Sequence, residues 1–275
     1  MIPRIITAII GIPLIFLILW SGYPWIWILC SVLSTIAILE FYALTSSNCP
    51  ISARIMGVFW LNLLLAGDYL LHFALTDILI LGLFGIFTLN FLLQIIIFFK
   101  NKSNETFQFK EPFEYSFHTL LGIIYIGIPV SLLLSIRNEI NGFELLTIII
   151  FGVFVTDTFS FVTGKLIGTR KLAPTISPSK TWEGAVGGFL FGSLFTIYVT
   201  HVVAVFNNFQ LTMLFGFLLA TSAQIGDLLE SKLKRMAKVK DTGTIIPGHG
   251  GVLDRMDSII LTTVVLYPLI KWGVE

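Results

Sequence analysis

A series of long apolar stretches, recurring from Ile5 to the end of the chain, constrains this sequence more than any other feature. Each stretch approaches the roughly 20 residues that an α-helix needs to cross a hydrocarbon core of about 30 Å. Charged residues make up only 12% of the 275 residues, about half of the roughly 25% typical of soluble domains. Runs such as Ile78–Phe99 lack the strict alternation of a transmembrane β-barrel. The sequence therefore predicts an all-α, polytopic integral membrane protein.

Hydropathy along the chain predicts about nine transmembrane helices. They cover residues 5–20, 24–44, 55–71, 78–99, 117–136, 145–167, 184–206, 211–229 and 253–272. A cleaved signal peptide is the alternative interpretation of the first span. No small-residue cleavage site follows Trp20, and the second span starts almost at once, so we expect the first span to be retained. Nine spans place the two termini on opposite sides of the membrane.

The basic residues indicate an orientation. Of the 17 lysines and arginines, all except Arg137 and Lys271 lie near the N-terminus or in the loops after the second, fourth, sixth and eighth spans. Because positively charged short loops stay cytoplasmic, we predict that the N-terminus and these loops face the cytoplasm. The net charge of +1 provides no general basic field, so nucleic acid is not an expected partner.

The chain has no linker, low-complexity tract or clear repeat, so we predict one membrane domain over residues 1–275. Residues 1–144 consist mostly of apolar spans and ordinary loops. We expect them to provide a scaffold, a route for lipid access or a dimer interface. Residues 145–275 concentrate acids, bases, glycines and prolines at the ends of spans, and we expect them to form the catalytic half with two cytoplasmic motif loops.

The first polar segment begins with Asp157, an acid within a predicted span. Because such an acid costs about 2.5 to 3.5 kcal/mol to insert, it should face the bundle interior, a cation or a water-filled cavity; a paired structural acid is an equally good interpretation. Downstream lies a loop stiffened by two prolines, whose hydroxyls and lysine suit phosphate oxygens: Ser177, Ser179, Lys180 and Thr181. Taken alone, this loop is better explained as an ordinary cytoplasmic turn.

Small residues recur every four positions on both sides of this loop. Such faces allow two helices to approach closely, so we predict helix packing rather than chemistry for two sets. The sets are Ser160, Gly164 and Gly168, and Gly184, Gly188 and Gly192.

The second polar segment runs from Gly226 to Ser258. If the eighth helix continues beyond the membrane, acids lie deepest on one of its faces and bases nearer water. That face carries Asp227, Glu230, Ser231, Lys234 and Lys238. An amphipathic surface helix accounts for the lysines, but it does not explain acids at the membrane boundary.

A glycine-rich run, residues 247–251, leads into the last span, and its backbone can approach a phosphate closely. Asp254 and Asp257 open that span. One of these acids could serve as a helix N-cap. Two carboxylates three residues apart, with Asp227 on the neighbouring helix, favour a Mg²⁺ site instead. Magnesium takes one or two carboxylates and completes its shell with water and substrate phosphate.

These residues resemble the signature of the phosphatidate cytidylyltransferase family, also called CDP-diacylglycerol synthases. The matching pattern is Ser231-x-x-Lys-Arg-x4-Lys-Asp-x-Gly-x-x-x-Pro-Gly-His-Gly-Gly-x-x-Asp-Arg-x-Asp257, and residues 177–184 are similar to a second family motif. A pattern that fixes over a dozen positions is far more specific than a short glycine motif. Thr242, Met256 and Phe161 depart from the residues that the family more often has, and none of these departures removes a charge.

The resemblance implies a reaction of CTP with phosphatidic acid that gives CDP-diacylglycerol and diphosphate, in a many-span homodimer that uses Mg²⁺. The family places acids on the last two spans at the metal, which corresponds here to Asp227, Asp254 and, as a third candidate, Asp257. The family also admits a potassium ion (K⁺) beside the magnesium. The lipid phosphate is itself the attacking group, so no enzyme nucleophile is required.

On this basis we predict that Mg²⁺ bridges the nucleotide and lipid phosphates. The predicted catalytic residues are Asp227, Lys234, Arg235, Asp254 and Arg255, and the predicted substrate-binding residues are Ser177, Ser179, Lys180, Thr181, Ser231, Lys240, Gly248, His249, Gly250 and Gly251. The sequence leaves open which of five further groups contact a ligand directly: Asp157, Glu183, Glu230, Asp241 and His249.

Two other functions fit parts of the pattern. A CTP-dependent kinase of a polyprenol lipid would use similar residues but transfer the γ-phosphoryl group. A secondary transporter would use polar residues in spans as a solute path. Acids clustered at one membrane face suit surface chemistry better than midplane transport.

Overall fold

The computed structural model describes residues 2–45, 50–71, 83–101, 110–245 and 250–274, and within them the fold is a bundle of nine helical rods with one small β-hairpin. The first four rods are α1 (Ile2–Ser21), α2 (Trp25–Thr45), α3 (Ile51–Leu71) and α4 (Leu83–Asn101). In the fifth rod, α5 (Lys110–Gly122) passes through a π-helical turn (Ile123–Gly127) into α6 (Ile128–Arg137). The remaining elements are α7 (Gly142–Ile167), β1 (Lys171–Ala173), β2 (Ser177–Thr181), α8 (Trp182–Val203), α9 (Phe209–Met236) and α10 (Leu253–Val274).

Each predicted span corresponds to one of these rods, with ends that differ by up to seven residues; residues 78–82 of the fourth predicted span lie outside the described residues. Within the described part of the chain, five stretches are long and apolar enough to cross a membrane: Trp25–Thr45, Phe113–Arg137, Gly142–Ile167, Trp182–Val203 and Phe209–Met236. The prediction of an all-α polytopic membrane protein is confirmed, and the number of nine crossings stays a prediction.

The apolar core joins the two halves of the chain. Tyr42, Leu61 and Ile126 from the first half and Phe215 and Leu266 from the second are all fully buried in one cluster. The Tyr42 hydroxyl donates a hydrogen bond to a backbone carbonyl of α5 at 3.3 Å. The polar segments of the second half are therefore built against a scaffold that includes α2 and the α5–α6 rod.

Helices α7 and α8 approach closely along the predicted small-residue faces. A Cβ atom added at Gly188 would overlap the Ser160 side chain, and one added at Gly192 would overlap the Thr156 side chain. A Cβ at Gly184 would lie 3.1 Å from the Cα atom of Gly164. The packing prediction for these residues is confirmed. The close contact holds α7 and α8 together where the hairpin connects them.

The loop between α7 and α8 forms an antiparallel hairpin in which Lys171 pairs with Thr181. Its tip is a tight turn closed by a hydrogen bond from Ile176 N–H to the Ala173 carbonyl at 3.2 Å, with Pro174 at the position where its fixed φ suits a turn. The Thr181 hydroxyl then accepts a bond from the Gly184 N–H at 3.1 Å and caps α8. The hairpin is thus anchored on the helix that it precedes.

Candidate active site

The two polar segments of the sequence meet where α9 ends and α10 begins. The hairpin contributes Lys180, whose Nζ lies 2.6 Å from Oδ2 of Asp227 on α9. Both side chains are partly exposed, at 25% and 31%, so this ion pair remains accessible to a ligand. The Ser231 hydroxyl, one turn further along α9, donates to Oδ1 of Asp227 at 3.3 Å. Three predicted site residues therefore form one contact group.

Helix α10 crosses α9 beside this ion pair, at Gly226. A Cβ there would lie 2.7 Å from the backbone oxygen of Asp257 and 3.1 Å from the Cα atom of Ser258, so the close crossing requires glycine. Asp257 and Asp157 both interact electrostatically with Asp227. Helices α7 and α9 and the first turns of α10 therefore bring three acids together.

A second group surrounds Lys234, whose ammonium is held between two carboxylates. Its Nζ lies 2.9 Å from Oε1 of Glu230 and 2.7 Å from Oδ1 of Asp254. The side chains of Glu230 and Asp254 are almost wholly buried, and that of Lys234 is 12% exposed. Because buried carboxylates without a counter-charge are costly, Lys234 neutralises the interior of the site.

Asp254 is also the acceptor that organises the start of α10. Its Oδ2 accepts hydrogen bonds from the Gly251 N–H at 2.8 Å, the Thr242 N–H at 2.9 Å and the Thr242 hydroxyl at 3.0 Å. The bond to Gly251 reaches back along the chain, as the acid of a capping box does. Asp254 therefore makes a capping contact at the start of α10. Its role as a Mg²⁺ ligand stays a prediction.

The glycines before α10 serve these contacts. Gly250 has φ +84°, in the left-handed region, and a Cβ on it would lie 2.7 Å from Oδ2 of Asp254. A Cβ on Gly251 would overlap the Thr242 hydroxyl. From the sequence, we predict that these glycines let the backbone approach a phosphate closely. In the structure they also let side-chain oxygens approach the backbone. Gly248 and His249 lie outside the described residues.

Beside the Lys180–Asp227 pair is a cavity of about 490 Å³ between α7, the hairpin, α8 and α9. Its polar lining comprises Asp157, Ser160, Lys165, Lys171, Ser179, Lys180, Thr181, Gln224 and Asp227, and its apolar lining includes Phe161, Leu172, Ala185 and Leu228. The mixture of three lysines with apolar side chains suits a ligand that has both a phosphate and a hydrocarbon part.

The hairpin is fixed on two sides. Glu183, in the first turn of α8, accepts hydrogen bonds from the Thr169 hydroxyl at 2.7 Å and from the backbone N–H groups of Thr169 and Arg170 at 3.1 and 3.3 Å. Arg235 of α9 donates to the backbone oxygens of Ile176 at 3.1 Å and Val239 at 3.2 Å. Arg235 therefore links the two polar segments through backbone contacts.

Some predicted site residues lie apart from these groups. Ser177 begins β2, and Lys240 and Asp241 are exposed in the α9–α10 connection. Arg255, in contrast, is exposed in the first turn of α10 and interacts electrostatically with Asp257. The continuation of the eighth helix is confirmed as far as Lys234. The prediction that Lys238 shares its face is wrong, because α9 ends at Met236 and Lys238 has φ +58°.

Sequence reasoning missed three charged residues of this region. Lys165 and Lys171 line the cavity, and both stand beside the first polar segment, where the charge count treated them only as loop charges. Glu40 of α2 is buried and bonds to the start of α10. The sequence does contain a feature that indicates Glu40. It is the one charged residue of α2, and acids within spans mark functional sites.

The donor chemistry of the site suits magnesium. Five carboxyl groups interact here with three basic groups. The acids are Asp157, Asp227, Glu230, Asp254 and Asp257, and the bases are Lys180, Lys234 and Arg255. Over the described ranges, no three His, Cys, Asp or Glu side chains form a ready-made metal cage. Magnesium needs only one or two carboxylates when substrate phosphates complete its shell.

Comparison with known proteins identifies the class. A model of the Cytidylyltransferase family matches residues 2–272, so the chain belongs to that family. Among its relatives, the phosphatidate cytidylyltransferase of Staphylococcus haemolyticus is 31% identical over 264 residues, which is 94% of both chains. The phosphatidate cytidylyltransferase of Rickettsia conorii is 42% identical over 154 residues, covering 54% of this chain and 67% of the relative. That of Rickettsia bellii is 41% identical over 157 residues, covering 54% and 68%.

Proposed function

We propose that this membrane protein transfers the cytidylyl group of CTP to phosphatidic acid, giving CDP-diacylglycerol and diphosphate. The observation that carries the proposal is the Lys180–Asp227 pair, which joins both polar segments beside a cavity that is partly cationic and partly apolar. Family membership and the names of the relatives support a nucleotidyltransferase of phospholipid synthesis. The same observations favour it over a polyprenol kinase or a transporter.

The reaction needs little covalent participation by the protein. An oxygen of the lipid phosphate attacks the α-phosphorus of CTP, a new P–O bond forms, and the bond between the α-phosphorus and the bridging oxygen breaks. Diphosphate leaves with the electron pair of that bond. The protein contributes positioning and charge neutralisation, as in other phosphoryl transfers.

We assign the charge-neutralising groups from their positions. Lys165, Lys171 and Lys180 line the cavity and can bind the phosphate of the lipid while its acyl chains contact apolar lining residues such as Phe161. Lys234, held by Glu230 and Asp254, presents a fixed ammonium on the α10 side. Arg255, Ser231 and Lys240 are proposed to contact the nucleotide phosphates, together with the glycine-rich run.

We propose that the protein depends on Mg²⁺ held by Asp227 and Asp257, with Asp254 as a further ligand when Lys234 releases its Oδ1. The electrostatic interaction of Asp257 with Asp227, where α10 crosses α9 at Gly226, supports this assignment. A bound magnesium ion would supply charge neutralisation and orientation at the reacting phosphates. The expected result is a loss of turnover when EDTA removes the ion and recovery when Mg²⁺ is restored.

We further propose that the site faces the cytoplasm, where CTP is found. The distribution of lysine and arginine supports this orientation, and the structure has both polar segments in contact. The Lys240→Cys variant should react with an impermeant maleimide at this position in inverted membrane vesicles and stay protected there in right-side-out vesicles.

A homodimer and a potassium ion beside the magnesium are proposed from the family resemblance. Chemical cross-linking of the detergent-purified protein tests the first, and the dependence of turnover on K⁺ at constant ionic strength tests the second.

The assay for the function uses CTP labelled at either the α- or the γ-phosphorus. With phosphatidic acid and Mg²⁺, the α-label should enter the organic phase and the γ-label should stay in water as diphosphate. Transfer of the γ-label to a lipid would indicate a kinase. Solute flux across sealed vesicles without any covalent product would indicate a transporter.

A further inference from the structure

Helix α2 contains a buried acid that the proposed chemistry does not use. Glu40 is the one charged residue among Trp25–Thr45, and only 7% of its surface is exposed. A carboxylate in a membrane helix is costly unless it is hydrogen-bonded or paired. Its partners therefore indicate what its presence achieves.

Among the described residues, the hydrogen bonds of Glu40 lead to the connection between α9 and α10. Its Oε1 accepts a bond from the Val252 N–H at 3.1 Å, and its Oε2 accepts a bond from the Leu253 N–H at 2.9 Å. The Thr242 hydroxyl lies 3.0 Å from the same Oε2 and shares its one proton between Glu40 and Asp254. Val252 and Leu253 present N–H groups at the start of α10, which have no partner within their own helix. Glu40 thus caps α10 from another helix, where the helix dipole also favours a negative charge.

The backbone around the carboxylate is shaped to admit it. A Cβ atom on Gly251 would lie 2.5 Å from Oε2 of Glu40, and one on Gly243 would overlap Oε1. Glycine at both positions lets the backbone at the two ends of the α9–α10 connection contact the Glu40 carboxylate. These contacts are independent of the hydrogen bonds and point to the same arrangement.

Thr242 connects Glu40 to the site. Its hydroxyl lies 3.0 Å from Oε2 of Glu40 and 3.0 Å from Oδ2 of Asp254, and Asp254 in turn holds Lys234 at 2.7 Å. The first half of the chain is therefore linked to the charged centre by a continuous series of polar contacts.

We infer that Glu40 is a positioning residue for cytidylyl transfer: it holds the α9–α10 connection and the start of α10 so that Asp254 and Lys234 keep their alignment. This inference rests on the proposed function. It also gives the first half of the chain a part in the active site beyond scaffold, lipid access or dimer contact.

Glu40→Gln tests the inference while keeping the side-chain size. The amide has one carbonyl oxygen, and its NH₂ group cannot accept the second set of bonds. We expect kcat to fall by about 10- to 100-fold, as small misplacements of reacting groups do. The matched control is Glu139→Gln, which removes a carboxylate that pairs with Lys271 away from this site. It should keep kcat within about twofold, because no catalytic contact is lost.

A double-mutant cycle separates positioning from general destabilisation. Glu40→Gln and Thr242→Val remove two members of one series, so the double variant should be little worse than the poorer single variant. Combining Glu40→Gln with Glu139→Gln should give additive effects. Thr242→Ser keeps the hydroxyl and should retain activity. Additive losses in the Glu40–Thr242 pair, measured well below each unfolding midpoint, would overturn the inference.

Amide hydrogen exchange gives a readout that does not depend on the reaction. The N–H groups of Val252 and Leu253 should exchange faster in Glu40→Gln than in the wild type or Glu139→Gln. Unchanged exchange would overturn the inference even if the wild type transfers cytidylyl groups. A wild type without that activity would contradict the proposed function, and the exchange result would still decide whether Glu40 holds α10. If Glu40→Gln does not fold, the Thr242→Val and Thr242→Ser pair decides the inference.

Discussion

Lys180 of the hairpin and Asp227 of α9 form an ion pair of 2.6 Å. In the sequence, these residues belong to two separate segments, and the segment of Lys180, taken alone, is typical of an ordinary cytoplasmic turn. Their contact makes both segments parts of one site. It also puts an ammonium directly on a carboxylate proposed to bind a cation, so substrate and cation must compete with or rearrange this pair.

The first prediction concerns Lys180. Lys180→Gln should reduce the formation of CDP-diacylglycerol by about 10²- to 10³-fold, the cost of removing one donor that stabilises charge in a transition state. The control is Lys232→Gln, an exposed lysine on α9, which should keep nearly full activity in the same labelled-CTP assay. Equal activity of the two variants would contradict a role for the ion pair.

Lys234 should matter for stability as well as for activity. Lys234→Met leaves Glu230 and Asp254 buried without their ammonium, and breaking a buried pair costs about 3 to 5 kcal/mol. We expect a lower thermal midpoint in detergent, measured by circular dichroism. Adding Glu230→Gln should restore part of the stability but not the activity. An unchanged thermal midpoint for Lys234→Met would mean that Lys234 does not form its ion pairs with Glu230 and Asp254.

The membrane architecture could be predicted because it depends on local composition. Apolar runs of sufficient length specify helices whatever their neighbours, and the four-residue spacing of Gly184, Gly188 and Gly192 specifies a close helix contact. The end of the eighth helix was less predictable. Its apolar part stops near Leu229, but α9 continues to Met236 because its charged last turns are held by the hairpin and by α10.

Close packing of α7 and α8 gives a prediction with an internal control. Gly188→Ala places a Cβ against the Ser160 side chain and should destabilise the protein by about 1 to 3 kcal/mol, the usual cost of overpacking. Gly85→Ala in α4 meets nothing within 4 Å and should be neutral or slightly stabilising. Thermal midpoints of the two variants should differ clearly. Equal midpoints would contradict the helix contact.

Arg235 separates a positioning role from a direct phosphate contact. Its guanidinium donates to the Ile176 and Val239 carbonyls, and the lysine of Arg235→Lys keeps the charge without this geometry. We expect faster proteolysis of the hairpin and a loss of activity of about tenfold or more, because the hairpin carries Lys180. A lysine variant with full activity and an intact hairpin would favour a simple charge contact with phosphate.

Contacts between distant parts of the chain are what the sequence could not reveal. Glu40 and Leu253 are adjacent only because α2 and α10 pack together, and no local pattern indicates their hydrogen bond. The same holds for Asp254, whose spacing with Asp257 suggested a metal ligand. Its bonds to Thr242 and Lys234 depend on how the α9–α10 connection closes.

The most direct test of the account measures both products of the reaction at once. Purified protein with CTP, phosphatidic acid and Mg²⁺ should form CDP-diacylglycerol and diphosphate in equal amounts, identified by mass spectrometry and by a diphosphate assay. Asp227→Asn should abolish both products, while Lys232→Gln should form them normally. Absence of the liponucleotide in the wild type, or undiminished formation in Asp227→Asn, would contradict the central claim that the Lys180–Asp227 centre transfers the cytidylyl group.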